Sequence, residues 1–129
     1  MSRQPSGIPF TTWLRGARPR TLPLAFGPVL LGTASAWNVQ SFEPVMAILA
    51  LIVSVSLQVG VNYANDYSDG IRGTDDVRLG PARLTGSGRV EPRLVKRAAF
   101  FSFSIATLSG VALIARAGAW WLVIVGALA

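Results

Sequence analysis

The chain has 129 residues, 51% of them hydrophobic and 14% charged, with a mean hydropathy of +0.47 and a formal net charge of +6. That composition belongs to a membrane protein rather than a soluble domain. The absence of cysteine excludes disulfides and thiolate metal sites, and the absence of histidine removes the commonest general base, so carboxylates, amides, arginines and a bound metal must carry any chemistry.

Residues 1–20 are polar and basic, with Phe10, Trp13 and Leu14 placed for an interfacial helix. A secretory signal would have its apolar stretch nearer the start, although Ala34-Ser35-Ala36 has the small-residue character of a cleavage site. The segment reads as a cytoplasmic lead. A first membrane span is expected over 21–37, short and bent by Pro23 and Pro28, with Trp37 at the far interface. Residues 38–43 carry no basic residue and read as an external turn.

A second span is expected over 44–64, since roughly 20 apolar residues suffice to cross. Ser54, Gln58, Asn62 and Asp66 recur every four residues along its later part and beyond it, which puts them on one helical side. Such a row should face a bundle interior or a wet cavity. Hydrogen bonding between helices accounts well for Ser54 and Gln58, but poorly for a carboxylate at the end of the row. Residues 67–92 form a cytoplasmic loop punctuated by Gly70, Gly73, Gly80, Pro81, Gly86, Gly88 and Pro92. A third span is expected over 94–115, with Lys96 and Arg97 snorkelling at its start. A fourth apolar run, 118–129, has about a dozen residues, too few to cross as a helix. The expectation is a chain cut inside a span: three transmembrane helices and part of a fourth, all-α.

Eleven of the twelve basic residues fall before the first span or between the second and third, and Arg116 alone falls on the other side. This is the asymmetry of a cytoplasmic loop, not a nucleic-acid footprint, so no nucleic-acid partner is expected.

Five of the six acidic residues, Asp66, Asp69, Asp75, Asp76 and Glu91, lie in or just after the segment 62–76. If the second span stays helical to Asp69, then Asn62, Asp66 and Asp69 stand at i, i+4 and i+7. One amide oxygen and two carboxylates then suit magnesium, which takes few protein carboxylates and completes its shell with water and phosphate. Gly70 and Gly73 would release the helix and bring Asp75 and Asp76 back to the same place. Arg72, Arg78, Arg83 and Arg89 can grip phosphate in bidentate fashion. The plain alternative is a solvated loop of mixed charge that only orients the protein. An EF-hand is excluded by ligand spacing, and Gly86-Ser87-Gly88 is too short for a P-loop. Trp120 and Trp121 read as packing or interfacial aromatics; for Tyr63 and Tyr67, which flank the acids, lining the site and anchoring at the interface are equal readings.

The run Asn62–Asp76, with Asn65-Asp66-x-x-Asp69 inside it, resembles the first aspartate-rich motif of the UbiA superfamily of intramembrane aromatic prenyltransferases. Arg78-Leu79-Gly80-Pro81-x-Arg83-Leu84, Gly86-Ser87-Gly88 and the opening Trp13-Leu14-Arg15-x-Ala17-Arg18-Pro19-Arg20-Thr21-Leu22-Pro23 are similar to the branch that prenylates 1,4-dihydroxy-2-naphthoate for menaquinone synthesis. Gly73, where other branches place a third aspartate, agrees with that branch.

The resemblance implies an N-terminal fragment of a multi-span UbiA-type helical bundle in the cell membrane, with N-terminus and acidic loop cytoplasmic. It implies transfer of a polyprenyl chain from polyprenyl diphosphate to 1,4-dihydroxy-2-naphthoate with loss of carbon dioxide. It further implies Mg2+ as cofactor, Asp66 and Asp69 as catalytic residues, and Asn62, Asp66, Asp69, Asp75 and Asp76 as metal ligands. Charge and position make Arg72, Arg78 and Arg83 the expected diphosphate contacts. The family's second aspartate-rich motif has no counterpart here, so a missing C-terminal portion is an expected partner and the chain alone is expected to be inactive and prone to association. Other readings are a different UbiA-type aromatic prenyltransferase, an inert truncated product, or a small membrane cation-binding or channel-like protein.

Overall fold

The computed structural model describes residues 7–73 and 83–128. The described residues are helical: α1 (Phe10–Ala17), a short 3-10 turn (Pro19–Thr21), α2 (Pro23–Asn38), α3 (Pro44–Arg72), α4 (Pro92–Ala117) and α5 (Trp121–Leu128).

Proline and glycine set these boundaries. α1 stops at Arg18, which takes a left-handed conformation (φ 54°, ψ 72°) and bonds its N–H back to the Arg15 carbonyl. Pro19 follows and cannot continue the helix; it also disfavours the right-handed helical region for the residue before it. α2, α3 and α4 each begin with a proline at their first position, where the missing N–H has no helical partner in any case. α3 and α4 end at Gly73 and Gly118, both with left-handed φ (67° and 66°). At Gly118 the N–H of Ala119 reaches the Ile114 carbonyl and that of Gly118 the Ala115 carbonyl, which closes the end as a Schellman motif.

α3 runs well past the expected limit of 64, into the stretch 67–92 expected as loop, and Gly70 lies inside the helix rather than ending it. Its missing side chain serves packing: a Cβ there would lie 2.3 Å from the Thr85 methyl carbon. At 29 residues α3 is about 43 Å long, against a hydrocarbon core of about 30 Å. Two or three turns of it therefore project beyond the core. α3 and α4 are long and apolar enough to cross a membrane. α2, the first expected span, has 16 residues and reaches about 24 Å, and α5 has eight.

α3 and α4 pack antiparallel. The Glu43 carboxylate pairs with Arg116 at one end. Further along, Gly60 lets the Phe103 ring approach to where a Cβ would meet it at 2.7 Å. α4 contributes Val95, Ala99, Ser102 and Ala106, a 4-3-4 spacing that forms one stripe. The core is concentrated at the opposite end from Glu43. Ala17, Tyr63, Leu84, Val90, Val95 and Ala99 are buried together, with Trp13, Tyr67 and Phe103 against them. Elsewhere the helices show apolar flanks to their surroundings, including Leu30 and Leu31 of α2, Phe101 and Leu108 of α4 and Ile124 of α5.

Candidate functional site

The buried end of α3 gathers the polar groups. The row Ser54, Gln58, Asn62 and Asp66 does lie along one side of the helix, and each member has a protein partner. Ser54 donates to the Ala25 carbonyl at 2.8 Å. The Gln58 side-chain amide donates to Thr21 Oγ1 at 3.3 Å. Asn62 Nδ2 donates to Thr21 Oγ1 at 3.0 Å and to the Ala17 carbonyl at 2.8 Å. Thr21 in turn donates its hydroxyl to the Arg18 carbonyl at 2.9 Å. The row is thus a strip of interhelical hydrogen bonds that fixes the α1–α2 corner on α3.

Asp66 ends the row. Its residue is 2% exposed, and its two oxygens accept the backbone N–H groups of Leu84 (2.9 Å) and Thr85 (3.0 Å). Two successive amides aimed at one carboxylate form a small anion nest, which offsets the cost of burying the charge. The segment 83–90 is a compact series of turns, with Gly88 N–H on the Thr85 carbonyl and Val90 N–H on the Leu84 carbonyl. Gly16 makes room for it: a Cβ there would stand 2.5 Å from Leu84 Cδ1 and 2.9 Å from the Tyr63 ring. The Tyr63 hydroxyl donates to the Trp13 carbonyl at 2.9 Å, and the two rings meet edge to face.

The face of α3 that stays open carries Asn65, Asp69 and Arg72, at i, i+4 and i+7. Asn65 and Arg72 are exposed. Asp69 is paired with Arg83, their side chains 30% and 16% exposed. Burial pushes the Arg83 guanidinium below its ordinary value, and the nearby positive Arg18 adds to that while Asp66 opposes it. A guanidinium whose charge is disfavoured by a second one, beside a carboxylate, suits an incoming anion. The Lys96 ammonium lies 5.6 Å from the Tyr67 ring centroid, a cation–π contact at the same end of α3 and α4. Asp75, Asp76 and Arg78 lie outside the described residues.

Over 118 residues, 92% of its length, the chain is 54% identical to a 1,4-dihydroxy-2-naphthoate octaprenyltransferase of Mycobacterium leprae. It is 53% identical over 119 residues to the protein of the same name from Mycobacterium tuberculosis, and 44% identical over 106 residues to that of Escherichia coli. The chain is similar to these prenyltransferases over nearly its whole length. It spans about 40% of the length of the two mycobacterial relatives and 34% of the Escherichia coli one. No family model and no solved structure matches it.

The donor groups of the chain divide in their fit to a hard cation. Asn62 and Asp66 are 4% and 2% exposed and already engaged, the first through its amide nitrogen and the second through both oxygens. Asn65 is exposed and Asp69 partly so, the latter paired with Arg83. Among the described residues, no three acidic side chains come together as a metal cluster. Sequence reasoning quoted Asn65 within the aspartate-rich motif but did not count it among the expected ligands. Its signal was there in the spacing, since Asn65 precedes Asp69 by the same four residues that separate Asn62 from Asp66. What the spacing does not tell is which of the two rows faces the protein.

Proposed function

We propose that the chain carries the diphosphate-recognising part of an enzyme that transfers a polyprenyl chain from polyprenyl diphosphate to 1,4-dihydroxy-2-naphthoate, with loss of carbon dioxide and formation of demethylmenaquinone. The observation that carries the reading is the 54% identity to a named prenyltransferase across nearly the whole chain. The acceptor comes from the relatives' names. The donor end is supported by the residues: the partly exposed Asp69 carboxylate paired with Arg83, with the positive Arg18 acting on Arg83, at the end of a membrane-length helix.

In this reading the prenyl tail lies along the apolar helices and the diphosphate meets the basic end. Arg83 exchanges Asp69 for phosphate oxygens, to which its planar fork is suited. Arg72 and Arg78 are further candidates for that contact. Asn65 and Asp69 are the described residues that would hold magnesium, with Asp75 and Asp76 as candidates beyond them. The chemistry a bound magnesium ion would supply is neutralisation of the departing diphosphate. The protein sits in the cell membrane with the acidic end on the cytoplasmic side. The channel-like alternative is disfavoured, because Ser54, Gln58 and Asn62 bond to α1, α2 and the turn between them instead of lining an open path.

Binding of farnesyl diphosphate to the chain in lipid nanodiscs, with and without magnesium, tests the reading. Arg83→Ala and Asp69→Asn should each weaken binding by about tenfold or more, the loss expected for charge-assisted contacts. Binding that is absent in the unaltered chain, or indifferent to both substitutions, would remove the diphosphate site from this segment.

A further inference from the structure

We infer that Asp66 is a positioning residue rather than a metal ligand: its carboxylate clamps the Leu84–Thr85 amides to α3 and so places Arg83 beside Asp69. The inference deepens the proposed diphosphate site and rests on that reading for its functional part, while the clamp itself stands on geometry alone.

Three independent features converge on the same two residues. Both Asp66 oxygens are used, one on each amide, at 2.9 and 3.0 Å. Leu84 is 2% exposed and fills the space left by Gly16, while Thr85 fills the space left by Gly70, one turn beyond Asp66 on the same helix. Arg83 is the next residue along, and its guanidinium lands on Asp69. A segment seated on α3 at residues 84 and 85 has little freedom at residue 83. The arginine is thereby held ready before any ligand arrives, which lowers the ordering cost of binding.

A carboxylate suits this place for a specific reason. Two N–H donors point at it, and a carboxylate offers only acceptors. An asparagine would keep one oxygen but set its own NH2 against the second amide. One N–H would then be left buried without a partner.

Hydrogen exchange on the full 15N-labelled chain in nanodiscs, combined with farnesyl diphosphate titrations at varied magnesium, separates a clamp from a ligand. In Asp66→Asn the Leu84 and Thr85 amides should exchange about tenfold faster or more, while the Val95 amide in the α4 core keeps its protection. Farnesyl diphosphate should bind more weakly at saturating magnesium, with no movement of the magnesium midpoint. Asp69→Asn should do the reverse, moving the midpoint and leaving the two amides protected. Gly70→Ala, which displaces Thr85 with Asp66 intact, should reproduce the Asp66→Asn pattern.

Unchanged protection at residues 84 and 85 in Asp66→Asn overturns the clamp. So does faster exchange that spreads to Val95, which would make Asp66 a general stability residue. A magnesium midpoint that moves in Asp66→Asn as it does in Asp69→Asn overturns it too. If the unaltered chain binds no farnesyl diphosphate, the proposed function fails, and the exchange at residues 84 and 85 still decides the clamp.

Discussion

Thr21 shows how much one hydroxyl can organise. Its oxygen donates to the Arg18 carbonyl and accepts from Gln58 and Asn62, so it joins the α1–α2 corner to the polar row of α3. A valine there keeps the shape and removes all three bonds. Asn62 would retain the Ala17 carbonyl, while Gln58 would lose its described partner. Thr21→Val should therefore destabilise the fold by about 1–3 kcal/mol, the cost of leaving buried polar groups unpaired. Thr21→Ser should retain most of the stability. Equilibrium unfolding in mixed detergent micelles checks both. The four-residue spacing of Ser54, Gln58, Asn62 and Asp66 made the polar face of α3 legible in the sequence. Their partners were not, because Thr21 and Leu84–Thr85 lie 41 and about 18 residues away and only the folded corner brings them in. The spacing therefore shows that Asp66 ends a polar row, but not that its oxygens meet the Leu84 and Thr85 amides.

At the scale of elements, prolines at 23, 44 and 92 and glycines at 73 and 118 mark the helix ends, and the sequence shows them openly. Gly70 has the same look and a different job, since its neighbour across space is Thr85. A glycine that breaks a helix and one that admits a close contact are indistinguishable until the contact is known. Gly60 is a third case. There the Phe103 ring of α4 lies against the helix backbone, and an added methyl would meet ring carbons at 2.7 and 2.8 Å. The ring must shift or the helices must part. Gly60→Ala should weaken the α3–α4 pair by about 1–3 kcal/mol, in the range of overpacked cores. Gly60→Ala combined with Phe103→Leu should recover part of the loss. Thermal unfolding of the two variants in detergent measures that coupling, and additive losses would show that the ring is not what the methyl meets.

For the whole molecule, the distribution of charge and the packing of α3 against α4 make a joint statement about orientation. Arg18, Arg83 and Lys96 gather at the end where the core lies, with Asp69 among them. At the other end Arg116, the single basic residue there among the described residues, is paired with Glu43, so its charge is countered. The two ends are separated by helices of 29 and 26 residues, each longer than the hydrocarbon core is thick. If α3 and α4 cross the bilayer, the two ends face opposite sides of it. The chain has no cysteine, so single cysteines report position without background. Ser87 is exposed in the turns that follow Thr85, and Ser41 is exposed between α2 and α3. In intact cells a membrane-impermeant maleimide should label Ser41→Cys and spare Ser87→Cys, and in inverted vesicles the pattern should reverse. Labelling of Ser87→Cys from outside would place the basic end on the wrong side for a diphosphate supplied from the cytoplasm. Labelling of both from one side would mean that α3 lies along the membrane instead of crossing it, and the diphosphate site would then have to be rebuilt on an interfacial helix.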